Sequence, residues 1–84
     1  MIYYWYAICH FCEEGRLIIT KNKDTNTLYL HCDECERGWK DPEAIEHVAS
    51  SCLTFLERFE IDYPTPEEIV TQGWEKYMAH SFTK

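Results

Sequence analysis

Two Cys-x-x-Cys pairs, Cys9-His10-Phe11-Cys12 and Cys32-Asp33-Glu34-Cys35, stand nineteen residues apart in a chain of 84. Each pair is short enough to place two sulfurs on one tight turn, and two such turns brought together present four thiolates to one tetrahedral ion. Zinc is the metal expected. It accepts four thiolates at about 2.3 Å without redox chemistry, and a closed four-sulfur shell leaves no position for water or substrate. The site at Cys9, Cys12, Cys32 and Cys35 is therefore expected to hold one structural Zn2+. Iron in a rubredoxin-like shell is the alternative that four thiolates alone leave open. A thioredoxin-type dithiol needs a strand-to-helix setting that neither pair has. His10 and His31 adjoin ligand positions, and imidazole in place of a sulfur is a further alternative.

The fifth cysteine, Cys52, leaves an odd number, which speaks against a disulfide framework, and it reads as a small buried apolar residue. The apolar run from Ile2 to Cys9 is far shorter than the roughly 20 residues of a membrane span and has no basic leader, so a soluble, cytoplasmic protein is expected.

Between the pairs, Arg16-Leu17-Ile18-Ile19-Thr20 and Thr27-Leu28-Tyr29-Leu30-His31 read as strands about a polar turn, Asn22 to Asn26. Gly15 and Gly38, each three residues after the second cysteine of a pair, read as matching left-handed positions. The apolar stretch Ile2 to Ile8 suits a third strand covered on both faces. Asp41-Pro42 opens a predicted helix to about residue 60, with Ile45, Val48, Ala49, Cys52, Leu53, Leu56 and Phe59 on one face and a possible division at Ser50-Ser51. Thr65, Pro66 and Glu68 have capping-box spacing for a second helix, with Ile69, Val70, Gly73, Trp74, Tyr77 and Met78 as its stripe. The expected fold is α+β, one domain over residues 1–84: a small zinc ribbon with a three-stranded antiparallel sheet, followed by two C-terminal helices.

Net charge is −7, from eight Lys and Arg against fifteen Asp and Glu. Residues 1–31 are neutral, whereas residues 32–68 hold eleven acids against three bases. Such a surface repels phosphate backbones and anionic lipids and attracts a basic partner. No nucleophile beside a base, no phosphate loop and no open metal position points to catalysis, so a non-enzyme is expected. Zinc ribbons also occur in nucleic-acid and transcription assemblies, and Tyr3, Tyr4, Trp5, Tyr6 and Phe11 are able to stack bases. The missing basic patch argues against that reading.

Cys9-x-x-Cys12 with Gly15-Arg16-Leu17, then Leu30-x-Cys32-Asp33-Glu34-Cys35 with Trp39, Pro42 and Glu43, then Pro64-Thr65-Pro66-Glu67-Glu68-Ile69 with Gly73-Trp74, resembles small bacterial zinc-ribbon proteins encoded beside polymorphic toxins. These are the immunity proteins of contact-dependent growth inhibition systems. The resemblance implies a chain, monomeric when unbound, that neutralises a toxin domain inside the bacterial cell. A nuclease toxin would present a basic cleft to an acidic inhibitor. The residues expected to meet it are Asp33, Glu34, Glu36, Glu43, Glu46 and Asp62, with Trp39 and Tyr63 as aromatic anchors.

Overall fold

The computed structural model describes residues 2–53 and 61–83. Seven strands are present among them: β1 (Ile2–Ile8), β2 (Arg16–Asn22), β3 (Leu28–Cys32), β4 (Arg37–Trp39), β5 (Cys52–Leu53), β6 (Ile61–Asp62) and β7 (His80–Thr83). Six of them form one path in the order β5-β4-β3-β2-β1-β7, and β6 pairs with the end of β2. All the pairings are antiparallel.

The central hairpin follows from its residues. β-Branched and leucine side chains suit a half-buried pleat, and β2 and β3 pair from Leu17 opposite Cys32 to Lys21 opposite Leu28. Asn22 closes the turn with its side-chain oxygen, which accepts the Asp24 amide at 2.9 Å, while Asn26 takes a left-handed φ of 60°. Strand alternation then sorts the side chains. Leu17, Ile19, Leu28, Leu30, Cys32 and Trp39 share one face and form the core with Cys9, Ile45, Ile69 and Tyr77. Arg16, Ile18, Thr20, Tyr29 and His31 point to the other face, together with Tyr3 and Trp5 of β1 and His80 and Phe82 of β7. The expected third strand does join the hairpin, through β1 and β2. Its inner residues, Tyr3 to Ala7, are half-buried rather than covered on both faces.

Of the two expected C-terminal helices, the described residues contain one short one, α1 (Pro66–Thr71). Where a helix over 42–60 was predicted, the chain makes isolated 3-10 turns at Pro42–Ala44 and Val48–Ser50 and then enters β5. Residues 54–60 of that prediction lie outside the described residues. Asp41 and Pro42 do start a turn, and Asp41 accepts the Glu43 amide at 3.0 Å. The segment stays in i→i+3 pairing: the Ala44, His47 and Ser50 amides donate to the Asp41, Ala44 and His47 carbonyls at 3.0, 3.0 and 2.9 Å, and the His47 carbonyl also accepts the Trp39 indole N–H at 3.2 Å. Beyond it, Gly38 opposite Cys52 and Arg37 opposite Leu53 satisfy the outer edge of β4. Strand pairing outweighs a local apolar period whose Ser, His and Val residues favour helix weakly.

The second predicted helix is one short α1 (Pro66–Thr71). Its start is as expected, since Thr65 Oγ1 accepts the Glu68 amide and the Glu68 carboxylate accepts the Thr65 amide. Gly73 ends it. With φ of 77°, it lets its own amide donate to the Val70 carbonyl and the Trp74 amide to the Ile69 carbonyl, a Schellman closure. Tyr77 sits in a 3-10 turn, Glu75–Tyr77, and β7 follows. The stripe still packs in part: Ile69 and Tyr77 are core, while Val70 is exposed. Lys21 holds α1 to the hairpin through Glu68 at 2.6 Å.

Trp39 is the largest side chain with no exposure, and it carries the contact between β4 and the turns after it. Trp39→Ala is expected to destabilise the metal-loaded protein by about 3 to 5 kcal/mol, read by urea denaturation, because truncating a large buried ring leaves a cavity and removes one of the two hydrogen bonds to the His47 carbonyl.

Candidate metal centre

The four cysteines come from two turns of like construction. The first joins β1 to β2 and carries Cys9 and Cys12; the second joins β3 to β4 and carries Cys32 and Cys35. In each, the residue after the second cysteine is left-handed, Glu13 at φ 59° and Glu36 at φ 63°. The internal symmetry expected at Gly15 and Gly38 is therefore real but sits two residues earlier, on glutamates. Gly38 lies in β4 opposite His31. Gly15 has a steric role, since a Cβ there would run into the Cys32 sulfur.

Closure of the first turn aligns its amides. The Cys9 amide donates to the Gly15 carbonyl at 2.8 Å, the Glu13 amide to the Cys9 carbonyl at 3.0 Å, and the Gly15 amide to Cys12 Sγ at 3.3 Å. In the second turn, the Glu34 and Cys35 amides both donate to Cys32 Sγ at 3.4 Å. The turns are tied to each other as well. Asp33 and Arg16 exchange backbone and side-chain bonds: the Asp33 amide donates to the Arg16 carbonyl at 3.2 Å, and Asp33 Oδ1 accepts the Arg16 amide at 2.8 Å.

The sulfurs converge across the two turns. Cys9 Sγ lies 3.7 Å from Cys35 Sγ, Cys12 Sγ lies 3.5 Å from Cys32 Sγ, and all four lie within 4.8 Å of one another. A tetrahedral ion with sulfurs at about 2.3 Å requires edges of about 3.8 Å, so the donor set fits one ion bound by four sulfurs. Cys9 and Cys32 are buried and the other two are half-buried, so the site is closed from the core side. Among the described residues, this is the one group of metal-ligating side chains gathered in this way. Neither histidine enters it: His10 is exposed, and His31 points to the opposite face of β3 from Cys32, where its Nε2 meets the Glu36 carboxylate at 3.0 Å. The side chain of Cys52 is outside what the structure describes.

The thiols differ in acidity. Amide donation from Glu14 and then Gly15 draws Cys12 down to about 7. Burial pushes Cys32 far up, and burial likewise raises Cys35. A metal ion must therefore displace protons from buried thiols, and protons compete more strongly as pH falls.

The residues expected to meet a partner are scattered. Glu34 and Glu46 are exposed. Glu43, also exposed, accepts the Tyr77 hydroxyl at 2.7 Å and pairs with Lys76 at 3.2 Å. Asp62 lies 3.9 Å from Lys21 and accepts the Tyr63 amide. Trp39 is withdrawn into the core at 0 % exposure and cannot serve as a surface anchor. Asp33 and Tyr63 meet at one open pocket on the face away from the core, with Glu36 reaching it through His31. That pocket is completed by residues sequence reasoning did not join to it, Tyr3, Arg16, Ile18 and Phe82. The signal available was the alternation of Tyr3 with Trp5 and of His80 with Phe82. The latter pair was not read as a strand.

Compared with protein-family models, curated proteins and solved structures, the chain matches none. The class is accordingly defined by its own geometry: a ribbon-like antiparallel sheet with four cysteines placed to hold one metal ion.

Two outcomes are expected. Metal titration in a competition assay should show one equivalent bound, with affinity falling steadily from about pH 8 to about pH 6 as protons reclaim the thiolates. Gly15→Ala should lower that affinity by about 10- to 100-fold, the range found when groups supporting metal ligands are disturbed, although no ligand is removed.

Proposed function

We propose that this chain is a zinc-bound, acidic protein-binding module that acts as an immunity protein, neutralising a basic toxin domain in the bacterial cytoplasm. Zinc is favoured by the donor chemistry, four thiolates converging at tetrahedral spacing in a closed shell. The observation that carries the binding role is the placement of acids on this rigid frame. Glu34 projects from the second metal turn, and Glu46 lies in the irregular segment just after β4. A pre-ordered scaffold lowers the entropy lost on association, and an acidic surface accelerates encounter with a basic one. Zinc bound by four thiolates would take the net charge of −7 to about −9. Nucleic acid is then a poor direct ligand, and a basic nuclease toxin a good one. The immunity role itself rests on the resemblance in sequence set out above.

Co-expression with the product of the adjacent gene, read here as the toxin, is expected to restore growth and to yield a soluble complex containing zinc. Association should slow as salt is added, because exposed charges are screened beyond about 8 Å at physiological ionic strength. Glu34→Lys combined with Glu46→Lys should weaken the complex without loss of zinc. Glu43 is unsuited to this test because it holds Tyr77 and Lys76. Neither rescue nor complex would discard the immunity role; a complex indifferent to salt and to both reversals would discard the electrostatic mechanism alone.

A further inference from the structure

The face of the sheet away from the core carries a pocket of about 430 Å3, open to solvent and lined by Tyr3, Arg16, Ile18, His31, Asp33, Tyr63 and Phe82. Its size falls within the roughly 300–1,000 Å3 of sites that take small groups. Three aromatic rings build a corner. Tyr3 and Phe82 are stacked with centroids 5.1 Å apart and planes at 29°, and Tyr63 stands nearly perpendicular to Tyr3, at 80° and 4.5 Å. Ile18 is buried at the base. The opposite wall is the Arg16–Asp33 pair, in which Arg16 Nε and Nη2 both donate to Asp33 Oδ2 at 3.3 Å.

The chemistry of this corner favours a cation. Ring faces attract positive charge, and one already holds it: the Arg16 guanidinium lies 3.9 Å over the Phe82 ring. Arg16 cancels Asp33 without exhausting it, since a carboxylate has about four acceptor positions and Arg16 occupies three with its amide, Nε and Nη2. The Tyr63 hydroxyl is held above its ordinary acidity range chiefly by burial, with smaller contributions from Tyr3, Glu36 and Asp33. Between the two basic side chains, guanidinium is more weakly hydrated and stacks flat on rings, so it loses less on leaving water than ammonium does.

We propose that this pocket receives an arginine side chain of the basic protein partner, its guanidinium laid against the Tyr63 ring beside the Tyr3–Tyr63 edge contact, with one N–H on Asp33. This rests on the reading of the partner as a basic protein, and the test is chosen to be independent of the toxin. The zinc-loaded full chain is titrated with a blocked glycine pentapeptide carrying one central arginine, followed by NMR shifts of backbone amides and aromatic rings. Weak binding is expected, with shifts centred on Tyr3, Ile18, His31, Tyr63 and Phe82. The same peptide with citrulline, equal in shape but uncharged, should bind at least about tenfold more weakly, and lysine should fall between the two. Tyr63→Leu should weaken the arginine peptide by a similar factor with zinc content unchanged; were that variant to misfold, the citrulline comparison on the unmodified chain decides. Equal binding of citrulline and arginine, shifts centred on Glu34 or Glu46, or no shifts would each overturn the pocket assignment. A toxin complex that forms alongside any of these results would leave the immunity reading standing.

Discussion

The four thiolates of Cys9, Cys12, Cys32 and Cys35 have to converge from turns belonging to two different strand connections, and that convergence fixes the register of what lies between them. Cys32 ends β3 directly opposite Leu17, one residue after Arg16 has exchanged bonds with Asp33. The sulfurs therefore extend the same face that carries Leu17 and Leu30, and form one end of the core rather than an appendage to it. This matters in a chain of 84 residues, where burial removes only about 60 % of the unfolded chain's surface from water. Apparent metal free energies of about 10 to 16 kcal/mol for such sites match or exceed the net stability of a small domain, so ion and fold are expected to form together. Gly15 shows how closely the turns approach, since the space where its side chain would be is taken by the Cys32 sulfur.

What was legible in the sequence follows the same division. The metal turns, the β2–β3 hairpin and the Thr65–Glu68 capping box are each set by residues a few positions apart, and local chemistry is enough to read them. The region after Asp41 is not local in that sense. Ile45, Val48, Ala49 and Cys52 have helical spacing, but the His47 carbonyl is taken by the Trp39 indole and by Ser50, while β4 offers an unpaired edge to Cys52 and Leu53. Those partners are invisible to a periodicity argument, which sees one segment at a time. Gly73 was misjudged for a related reason. Its spacing fits the interior of a stripe, but the left-handed conformation it adopts is a termination, and the helix before it is only six residues long. Trp39, read as a surface anchor beside an acidic run, is instead the residue around which β4 and the following turns pack.

Electrostatics divides the acids into those that hold the fold and those left to meet something else. Arg16 is engaged with Asp33, Lys21 with Glu68 and Asp62, and Lys76 with Glu43. Each of these cations joins segments distant in sequence, and each neutralises an acid that composition alone counts toward a binding surface. Exposed pairs of this kind contribute little stability individually, but they set which charges remain uncompensated. Among the described residues, sequence charge thus overstates the extent of the acidic surface, since Asp33, Glu43, Asp62 and Glu68 are engaged by cations while Glu34 and Glu46 stand exposed.

The two faces of the sheet are coupled through that turn. Strand alternation sends Cys32 inward and His31 outward, and Asp33, immediately beyond, locks Arg16 in place over Phe82. The aromatic corner on the outer face is thereby braced by the same residues that bring the sulfurs together on the inner one. Loss of the ion would release Cys32 and, with it, the Arg16–Asp33 wall, so metal binding and the shape of the outer face are expected to rise and fall together. An ion held by these four cysteines would then do more than stabilise: it would brace the Arg16–Asp33 wall of a face whose other supports are the Tyr3, Tyr63 and Phe82 ring contacts and the pairing of β1 with β7.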